Sequence, residues 1–173
     1  MQELLNEAKR LASEGVKELV LVAQETTLYG KDLTGEKQLP LLLHELCKIE
    51  GIEWIRLLYC YPEEITDELI KVIKTEEKVC NYIDMPIQHS ENRILQRMGR
   101  RTSREDLVAV IKKLRKEIPD ITIRTTLITG FPGESQEDHE GLMNFVEECQ
   151  FDRLGVFTYS PEEDTLAATF EDQ

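Results

Sequence analysis

The segment that most constrains this chain is residues 121–134, an apolar run followed by a glycine- and proline-rich turn. The pattern predicts a buried β-strand that ends at Gly130. Ser135, with Asp138 three residues later, predicts the N-cap of the next helix. Arg124 lies in the middle of the strand, where a guanidinium is costly unless it meets an anion. A strand with an internal cation and a glycine-rich exit therefore indicates a site for a small ligand that carries a carboxylate or phosphate.

Strand and helix patterns alternate along the chain, which predicts an α/β fold with a parallel sheet and right-handed crossovers. The predicted strands are 18–23, 54–59, 79–85, 121–129 and 152–158. One predicted helix ends at Gly15, and the others cover 39–49, 65–74, 90–98, 103–117 and 135–149. Thr66, Ser90 and Ser103 are predicted to begin three of them, and 24–38 is predicted as a loop. Strand 18–23 lacks polar alternation, so we expect it to be buried on both faces. Because the chain opens with a helix, we expect a partial (β/α) TIM-like barrel whose first strand is missing.

Polar residues, glycine and proline collect directly after each predicted strand. These exits are 24–27, 60–62, 88–90, 130–134 and 159–160. Ligands bind at the carboxyl ends of the strands in barrels and in open parallel sheets. The sequence therefore places a candidate binding site at this edge of the sheet.

Length and charge restrict the class of protein. The 173 residues, 40% of them hydrophobic, fit one domain over 1–173. No apolar run reaches membrane-spanning length, and the acidic N-terminus does not resemble a secretory signal, so we expect a cytoplasmic protein without a membrane partner. The formal net charge of −13 makes nucleic-acid binding by this domain alone unlikely on electrostatic grounds, and would suit a basic protein partner.

The four cysteines stand far apart and form no Cys-x-x-Cys pair; they are Cys47, Cys60, Cys80 and Cys149. Their spacing matches neither a disulfide framework nor a zinc or iron–sulfur motif. The three histidines are equally scattered. We therefore expect reduced thiols and no metal ligand in this chain.

Five segments in order carry a family resemblance: 22–30, 86–90, 98–101, 124–134 and 151–163. Together they resemble the radical S-adenosylmethionine methylthiotransferases, and the resemblance covers essentially the whole chain. It is greatest to the branch that modifies an aspartate of a small-subunit ribosomal protein. The tRNA-modifying branch usually carries a Gln-Ser-Gly-Ser pattern where this chain has Gln88-His-Ser-Glu91. The resemblance implies S-adenosylmethionine as cofactor and a ribosomal protein as substrate.

The chain also departs from that family. The family binds its catalytic [4Fe–4S] cluster through Cys-x-x-x-Cys-x-x-Cys, which is absent here. Asp164 and Leu166 stand where relatives usually have Gly and Pro. The resemblance implies that 1–173 is the central radical S-adenosylmethionine core domain of a longer protein. This chain lacks the cluster loop, so the cluster ligands would lie outside it. We expect no catalytic residue of its own and no activity from this fragment alone.

The resemblance also implies roles for residues at the strand exits. Gln24 and Glu25 lie where the superfamily carries a motif for the cofactor's ammonium group, and Thr27 could add a hydroxyl. Arg124 could hold the cofactor's carboxylate, since a guanidinium offers a bidentate fork. The equally weighted alternative is an internal ion pair of Arg124 with Glu25 or Asp84.

The remaining candidates lie on later exits. Gln88, His89 and Ser90 could bind the ribose hydroxyls or the carboxylate. The turn from Gly130 to Gly133 would let backbone approach the adenine closely. Arg101 is a second carboxylate candidate, although a surface charge in the run 97–104 is the simpler interpretation.

Three other interpretations remain open at this point. One is the tRNA-modifying branch of the same superfamily. Another is a cluster-free module that binds a nucleotide or a basic protein without catalysis. The third is a conventional barrel enzyme with Glu25 and His89 as acid and base. An open sheet edge would also allow a homodimer.

Overall fold

The computed structural model describes residues 1–172. The strands are β1 (Glu18–Leu21), β2 (Trp54–Leu57), β3 (Val79–Asp84), β4 (Thr122–Thr129) and β5 (Arg153–Thr158). The α-helices are α1 (Gln2–Ser13), α2 (Lys31–Thr34), α3 (Leu39–Cys47), α4 (Asp67–Thr75), α5 (Asn92–Arg97), α6 (Arg104–Glu117) and α7 (Gln136–Cys149). Short 3₁₀ segments cover Thr26–Leu28, Pro62–Glu64 and Ala167–Thr169.

The five strands form one parallel sheet in the order β1-β2-β3-β4-β5. Strand order that follows chain order, with a helix in each connection, is the winding of a (β/α) barrel segment, whereas a doubly wound sheet reverses its order. The α/β fold class and the partial barrel predicted from the sequence are confirmed. Within residues 1–172, β1 and β5 each have one unpaired edge.

The hydrophobic core lies between the sheet and the helices. Alternate strand residues point toward the helices, as Ile55 and Leu57 do in β2 and Ile83 does in β3. They pack with helix residues such as Leu43 and Phe145, both fully buried. Each such side chain contributes roughly 1.5–3 kcal/mol relative to leaving it in water.

The opposite, concave face of the sheet is open in the described residues. Val20 and Trp54 lie on this face and are exposed, and so is Phe157 on β5. The expectation that β1 is buried on both faces is therefore wrong. A continuous apolar strand is typical of a sheet covered on both faces, but in the described residues helices cover only one face.

Helix caps follow the sequence in three of four cases. The Ser103 and Ser135 side chains each form a reciprocal capping box with the residue three positions later, and Thr66 accepts a hydrogen bond from the Leu69 N–H. The predicted Ser90 cap is wrong, because α5 begins at Asn92 and Glu91 occupies the N-cap position. Ser90 is fully buried instead.

The segment 24–38 was predicted as a loop, yet it contains the 3₁₀ segment Thr26–Leu28 and helix α2. β1 and β2 each end two residues before the predicted boundary. After β3, Gln88 returns to the sheet as a bridge to Leu127. No helix in residues 1–172 has the length and apolar character needed to cross a membrane.

Candidate functional site

The carboxyl ends of the five strands form one rim of the sheet. Residues 22–29 follow β1, 58–62 follow β2, 85–91 follow β3, 130–134 follow β4 and 159–160 follow β5. Parallel strands place all these exits on the same side, so segments distant in sequence become neighbours. Backbone hydrogen bonds join the exits directly: the Thr26 N–H donates to the Tyr59 oxygen over 3.0 Å, and the Ile128 N–H donates to the Gln88 oxygen over 2.7 Å.

Glu25 organises the exit from β1. One carboxylate oxygen, Oε1, accepts hydrogen bonds from the Thr27 N–H over 3.0 Å and from the Tyr61 N–H over 3.3 Å. The Thr27 hydroxyl also donates to Oε1. Glu25 thereby caps the 3₁₀ segment Thr26–Leu28 and ties it to the exit from β2.

The second oxygen of Glu25, Oε2, is buried and has no hydrogen-bond partner within residues 1–172. Burial raises the pKa of Glu25 from 4.5 to about 7, although the Tyr61 and Thr27 N–H groups lower it. A buried carboxylate oxygen without a partner is costly and could accept a hydrogen bond from a cation. Gln24, the neighbouring candidate, is exposed.

Arg124 forms the ion pair that the sequence left as an open alternative, and its partner is Asp84. Nη1 of Arg124 lies 2.5 Å from Oδ1 of Asp84, and the two residues are register partners in β3 and β4. The hydrogen bond that Arg124 donates to Asp84 is the main cause of the raised pKa of Arg124. The Asp84 side chain is 1% exposed but that of Arg124 is 39% exposed, so part of the guanidinium still faces solvent.

The three candidate residues on the exit from β3 lie in different environments. Gln88 lies on the rim with a left-handed backbone (φ 70°). His89 is fully buried, and its Nδ1 accepts a hydrogen bond from the Glu91 N–H over 3.0 Å. Ser90 faces the helices, where its hydroxyl donates to Glu91 and accepts from Arg104.

The tautomer of His89 follows from this bond. Because Nδ1 accepts, the neutral ring carries its proton on Nε2. That atom lies 3.7 Å from Oε1 of Glu134 and has no closer partner in the described chain. Burial lowers the pKa of His89, although the nearby Glu134 carboxylate opposes the shift.

Glu134 organises the exit from β4. Its Oε2 accepts from the Gly130 N–H over 2.5 Å and from the Phe131 N–H over 3.1 Å. Its Oε1 lies 3.1 Å from Nδ1 of His139 and accepts a weaker bond from Thr129 at 3.5 Å. The Glu134 side chain is 4% exposed, and both of its oxygens already have partners, Oε2 in the turn and Oε1 on β4 and α7.

Both glycines of this turn are left-handed, with φ of 72° at Gly130 and 84° at Gly133. A Cβ at Gly133 would lie 3.0 Å from the guanidinium carbon of Arg97, whose Nε donates to the Pro132 oxygen. The turn therefore needs glycine for both backbone shape and space. Arg101 is exposed on the segment between α5 and α6 and contacts none of the other candidates.

The candidates therefore divide into two groups. A continuous chain of contacts links Glu25 to Arg124 through Thr26, Tyr59 and Asp84. A second chain links Gln88 to the Gly130 turn through β4. His89 and Ser90 are buried behind the rim, and Arg101 lies apart from both chains.

Sequence reasoning missed two residues of this site. Glu134 was read only as the end of the turn, although a carboxylate four residues after Gly130 is well placed to accept N–H groups of the turn. Tyr59 adopts a left-handed backbone with φ of 57°, for which its residue type gives no signal.

The four cysteines do not converge. All are free, and no group of three or more histidine, cysteine, aspartate or glutamate side chains in residues 1–172 could hold a metal ion. Burial raises the pKa of Cys60, and raises those of Cys47 and Cys149 to about 11. Such thiols stay protonated near neutral pH and are poor metal ligands.

A segment of a parallel (β/α) barrel with polar groups gathered at its carboxyl rim defines a class of ligand-binding barrel domains. The sequence model of the radical SAM superfamily matches residues 1–146. The chain belongs to this superfamily, whose members use S-adenosylmethionine and a [4Fe–4S] cluster.

Curated relatives share one description, ribosomal protein uS12 methylthiotransferase RimO. The relative from Lachnoclostridium phytofermentans is 65% identical over 173 residues, which is all of this chain and 39% of that protein. The relative from Clostridium perfringens strain SM101 is 58% identical over the same span and the same 39% share. The chain therefore spans about two fifths of the length of these relatives.

Solved structures agree on the fold. Coproporphyrinogen III oxidase (HemN) from Escherichia coli matches with a TM-score of 0.72 and 20% identity, over 96% of this chain and 39% of that one. The methyltransferase TsrM from Kitasatospora setae matches with a TM-score of 0.70 and 16% identity, over 91% of this chain and 30% of that one. At such identities the likeness supports the fold alone.

Proposed function

We propose that this domain holds S-adenosylmethionine on its rim and serves a longer protein that methylthiolates ribosomal protein uS12. The observation that carries the proposal is the 65% identity, over all 173 residues, to a relative of that description. The described relatives name a ribosomal protein and not a tRNA as the substrate, which favours the first of the two branches considered from the sequence.

Glu25 is the residue best suited to hold the cofactor's ammonium group. Its Oε2 is buried, has no partner in the described chain and lies at a strand exit. An ammonium donor there would satisfy that oxygen and favour the ionised carboxylate, whose pKa is about 7 without it. Thr27 supports Glu25 through its hydroxyl, and the exposed Gln24 adjoins it.

The other contacts to the cofactor are assigned by position on the rim. The exposed part of Arg124 offers donors for the carboxylate, with Arg101 as a second candidate. Gln88 lies between β3 and β4 beside the Gly130 turn, where backbone can approach a ribose and an adenine. His89 and Ser90 would act from behind the rim by fixing its shape.

The residues of this chain do not fit a [4Fe–4S] cluster. Its four cysteines are separated, and the described residues contain no cluster of metal-binding side chains. When bound, the cluster and S-adenosylmethionine supply the radical chemistry of the superfamily, and this domain positions and shields the reactants. We therefore expect residues 1–173 alone not to cleave S-adenosylmethionine, with the cluster ligands supplied by other parts of the longer protein.

The net charge of the domain and the unpaired edge of its sheet bear on its partners and its location. A net charge of −13 disfavours contact with nucleic acid by this domain alone, and we assign the protein to the cytoplasm, where ribosomal proteins are available. The unpaired edge of β1 in the described residues would let two copies of the isolated domain associate.

A chimera tests the proposal. This domain would replace the matching 39% of the Lachnoclostridium phytofermentans relative, and the cluster would be reconstituted. We expect the chimera to add a methylthio group to purified uS12, as detected by mass spectrometry, and Glu25→Gln to weaken S-adenosylmethionine binding at least tenfold. Glu50→Gln is the control, since Glu50 is exposed and precedes β2 at the opposite end of the sheet. A chimera that cleaves S-adenosylmethionine without modifying uS12 would contradict the assigned substrate.

Calorimetry on residues 1–173 gives a second test. We expect weak or no binding of S-adenosylmethionine, because the methionine end of the cofactor normally also chelates the cluster. Sub-micromolar binding by the domain alone would show that the rim suffices, and would contradict the proposed dependence on the cluster.

A further inference from the structure

Tyr59 adopts a backbone conformation that its residue type disfavours. Its φ is 57°, in the left-handed region where a side chain crowds the following carbonyl. Gln150 also has a positive φ, of 51°, but it caps the end of α7, where a left-handed residue is common. Tyr59 follows a strand and caps no helix, so its conformation needs a different explanation.

The surrounding rim holds Tyr59 in this conformation from both sides. Its N–H donates to Oδ2 of Asp84 over 3.1 Å, and its carbonyl oxygen accepts from the Thr26 N–H over 3.0 Å. Asp84 is buried and is also the ion-pair partner of Arg124. The fold thus uses a buried carboxylate to fix one strained residue, and such strain concentrates at functional sites.

The side chain that this strain positions points into solvent. Tyr59 is 46% exposed, although aromatic residues usually pack into the core. Its phenol is close enough to Arg124 to contribute to the raised pKa of that guanidinium. Tyr59 and Arg124 are neighbours, because the Tyr59 N–H and the Arg124 guanidinium both bind the Asp84 carboxylate. The Tyr59 hydroxyl and the exposed part of Arg124 can each donate a hydrogen bond to a carboxylate.

The position of Tyr59 indicates which carboxylate its hydroxyl would meet. Arg124 and Asp84 lie on the concave face, whereas Glu25 and the Gly130 turn lie in the loops above the strand ends. A cofactor held by those loops, with its carboxylate on Arg124, leaves the rest of the concave face to the second reactant. Tyr59 borders that face, since its N–H binds Asp84 there.

We propose that Tyr59 is a specificity-determining residue that donates a hydrogen bond from its hydroxyl to the acceptor's carboxylate, beside Arg124. This inference rests on the proposed function, in which the acceptor is an aspartate of a ribosomal protein. Asp84 holds the left-handed backbone of Tyr59, and the side chain is left half-exposed, where it can meet a second reactant.

Tyr59→Phe in the chimera described above is the main test, because it removes only the hydroxyl. We expect kcat/KM for purified uS12 to fall about ten- to a hundredfold, the usual effect of losing a hydrogen bond to a charged group. The ratio of methylthiolated uS12 to 5′-deoxyadenosine should fall with it, since cleavage of the cofactor becomes uncoupled from transfer. A fall in affinity for S-adenosylmethionine with an unchanged ratio would assign Tyr59 to the cofactor and overturn the proposal.

Backbone strain is tested separately by thermal unfolding of residues 1–173. Tyr59→Gly should unfold at a higher temperature than Tyr59→Ala, because glycine adopts positive φ without a Cβ. The same two substitutions at Gln150 are the matched control. Gln150→Gly should also unfold at a higher temperature than Gln150→Ala. In the chimera, however, Gln150→Ala should leave the ratio of methylthiolated uS12 to 5′-deoxyadenosine unchanged. If Tyr59→Gly is no more stable than Tyr59→Ala, or if Tyr59→Phe transfers as well as wild type, the proposal is wrong. A wild-type chimera without transfer would overturn the proposed function itself.

Discussion

Glu25 and Glu134 each follow a strand of the same sheet, and each accepts hydrogen bonds from backbone N–H groups of its own exit. They differ in whether a carboxylate oxygen is left without a hydrogen-bond partner. Glu134 uses both oxygens: Oε2 accepts from two N–H groups of the turn, and Oε1 pairs with His139. Glu25 uses Oε1 alone and leaves Oε2 buried without a partner in residues 1–172.

This difference separates a carboxylate that builds a loop from one that we propose is kept for a ligand. A saturated carboxylate stabilises the turn that it closes and has nothing left to offer. A buried oxygen without a partner lowers stability, and a protein tolerates that cost where a ligand will satisfy the atom. In the proposed function, the exit from β4 is therefore a fixed wall of the site, and the exit from β1 is the side that receives the ligand.

The largest expected effect comes from breaking the fixed wall. Glu134→Ala would leave the Gly130 and Phe131 N–H groups without their acceptor and open a space beside His89. We expect the free energy of unfolding to fall by about 2–4 kcal/mol, measured by urea denaturation. Glu137→Ala is the matched control, since Glu137 is exposed in the first turn of α7 and should change stability by less than about 1 kcal/mol. Equal losses in both variants would contradict the structural role of Glu134.

Unlike Glu134→Ala, Glu25→Gln should raise the free energy of unfolding above neutral pH. The pKa of Glu25 is raised from 4.5 to about 7, so the unfolded chain loses its proton first and stability falls as pH rises through that interval. The loss is at most roughly 3 kcal/mol and smaller where water screens the group. We expect Glu25→Gln to raise stability at pH 8 by about 1–2 kcal/mol, with little change at pH 4.5.

Denaturation curves of both proteins at the two pH values measure this difference. Glu50→Gln, at an exposed acid far from the rim, should alter neither the stability nor its pH dependence. A Glu25→Gln variant that is less stable than wild type at pH 8 would show that Glu25, like Glu134, is spent on structure.

A smaller effect is expected at the helix that follows the fixed wall. Ser135→Ala removes the cap of α7 and should cost about 1 kcal/mol. Ser103→Ala removes the same capping box from α6, away from the turn. If the Glu134 turn and α7 form one rigid unit, Ser135→Ala should also increase amide hydrogen exchange at Gly130 and Phe131, and Ser103→Ala should not.

The smallest expected effect concerns His89. Its pKa lies below 6.5 because it is buried, so the unfolded chain binds a proton first and stability falls as pH drops through 6.5. His89→Gln should reduce the loss of folding stability between pH 7 and pH 5. His44→Gln, at an exposed histidine on α3, should not change this pH-dependent loss of stability. Urea midpoints at pH 5 and pH 7 distinguish the two variants. Glu25 on the exit from β1 thus costs stability as pH rises, and His89 on the exit from β3 costs it as pH falls.

Much of the fold could be predicted from local sequence. The order of strands and helices, the parallel sheet and the capping boxes at Ser103 and Ser135 follow from residue patterns that act over a few positions. The gathering of polar residues on one rim was predicted for the same reason, since the exits of parallel strands lie on one side of the sheet. The Ser90 cap was wrong because burial against Arg104 outweighed its local capping propensity.

Pairing between distant residues could not be predicted in the same way. The sequence determined that Arg124 needs an anion, but only the register of β3 against β4 chose Asp84 over Glu25. Likewise, the sequence placed Glu25 at a strand exit, whereas the tertiary structure decided that one oxygen would stay without a partner in the described chain. The physical reason is common to both: local patterns fix backbone conformation, while burial and hydrogen-bond satisfaction depend on neighbours brought together from far along the chain.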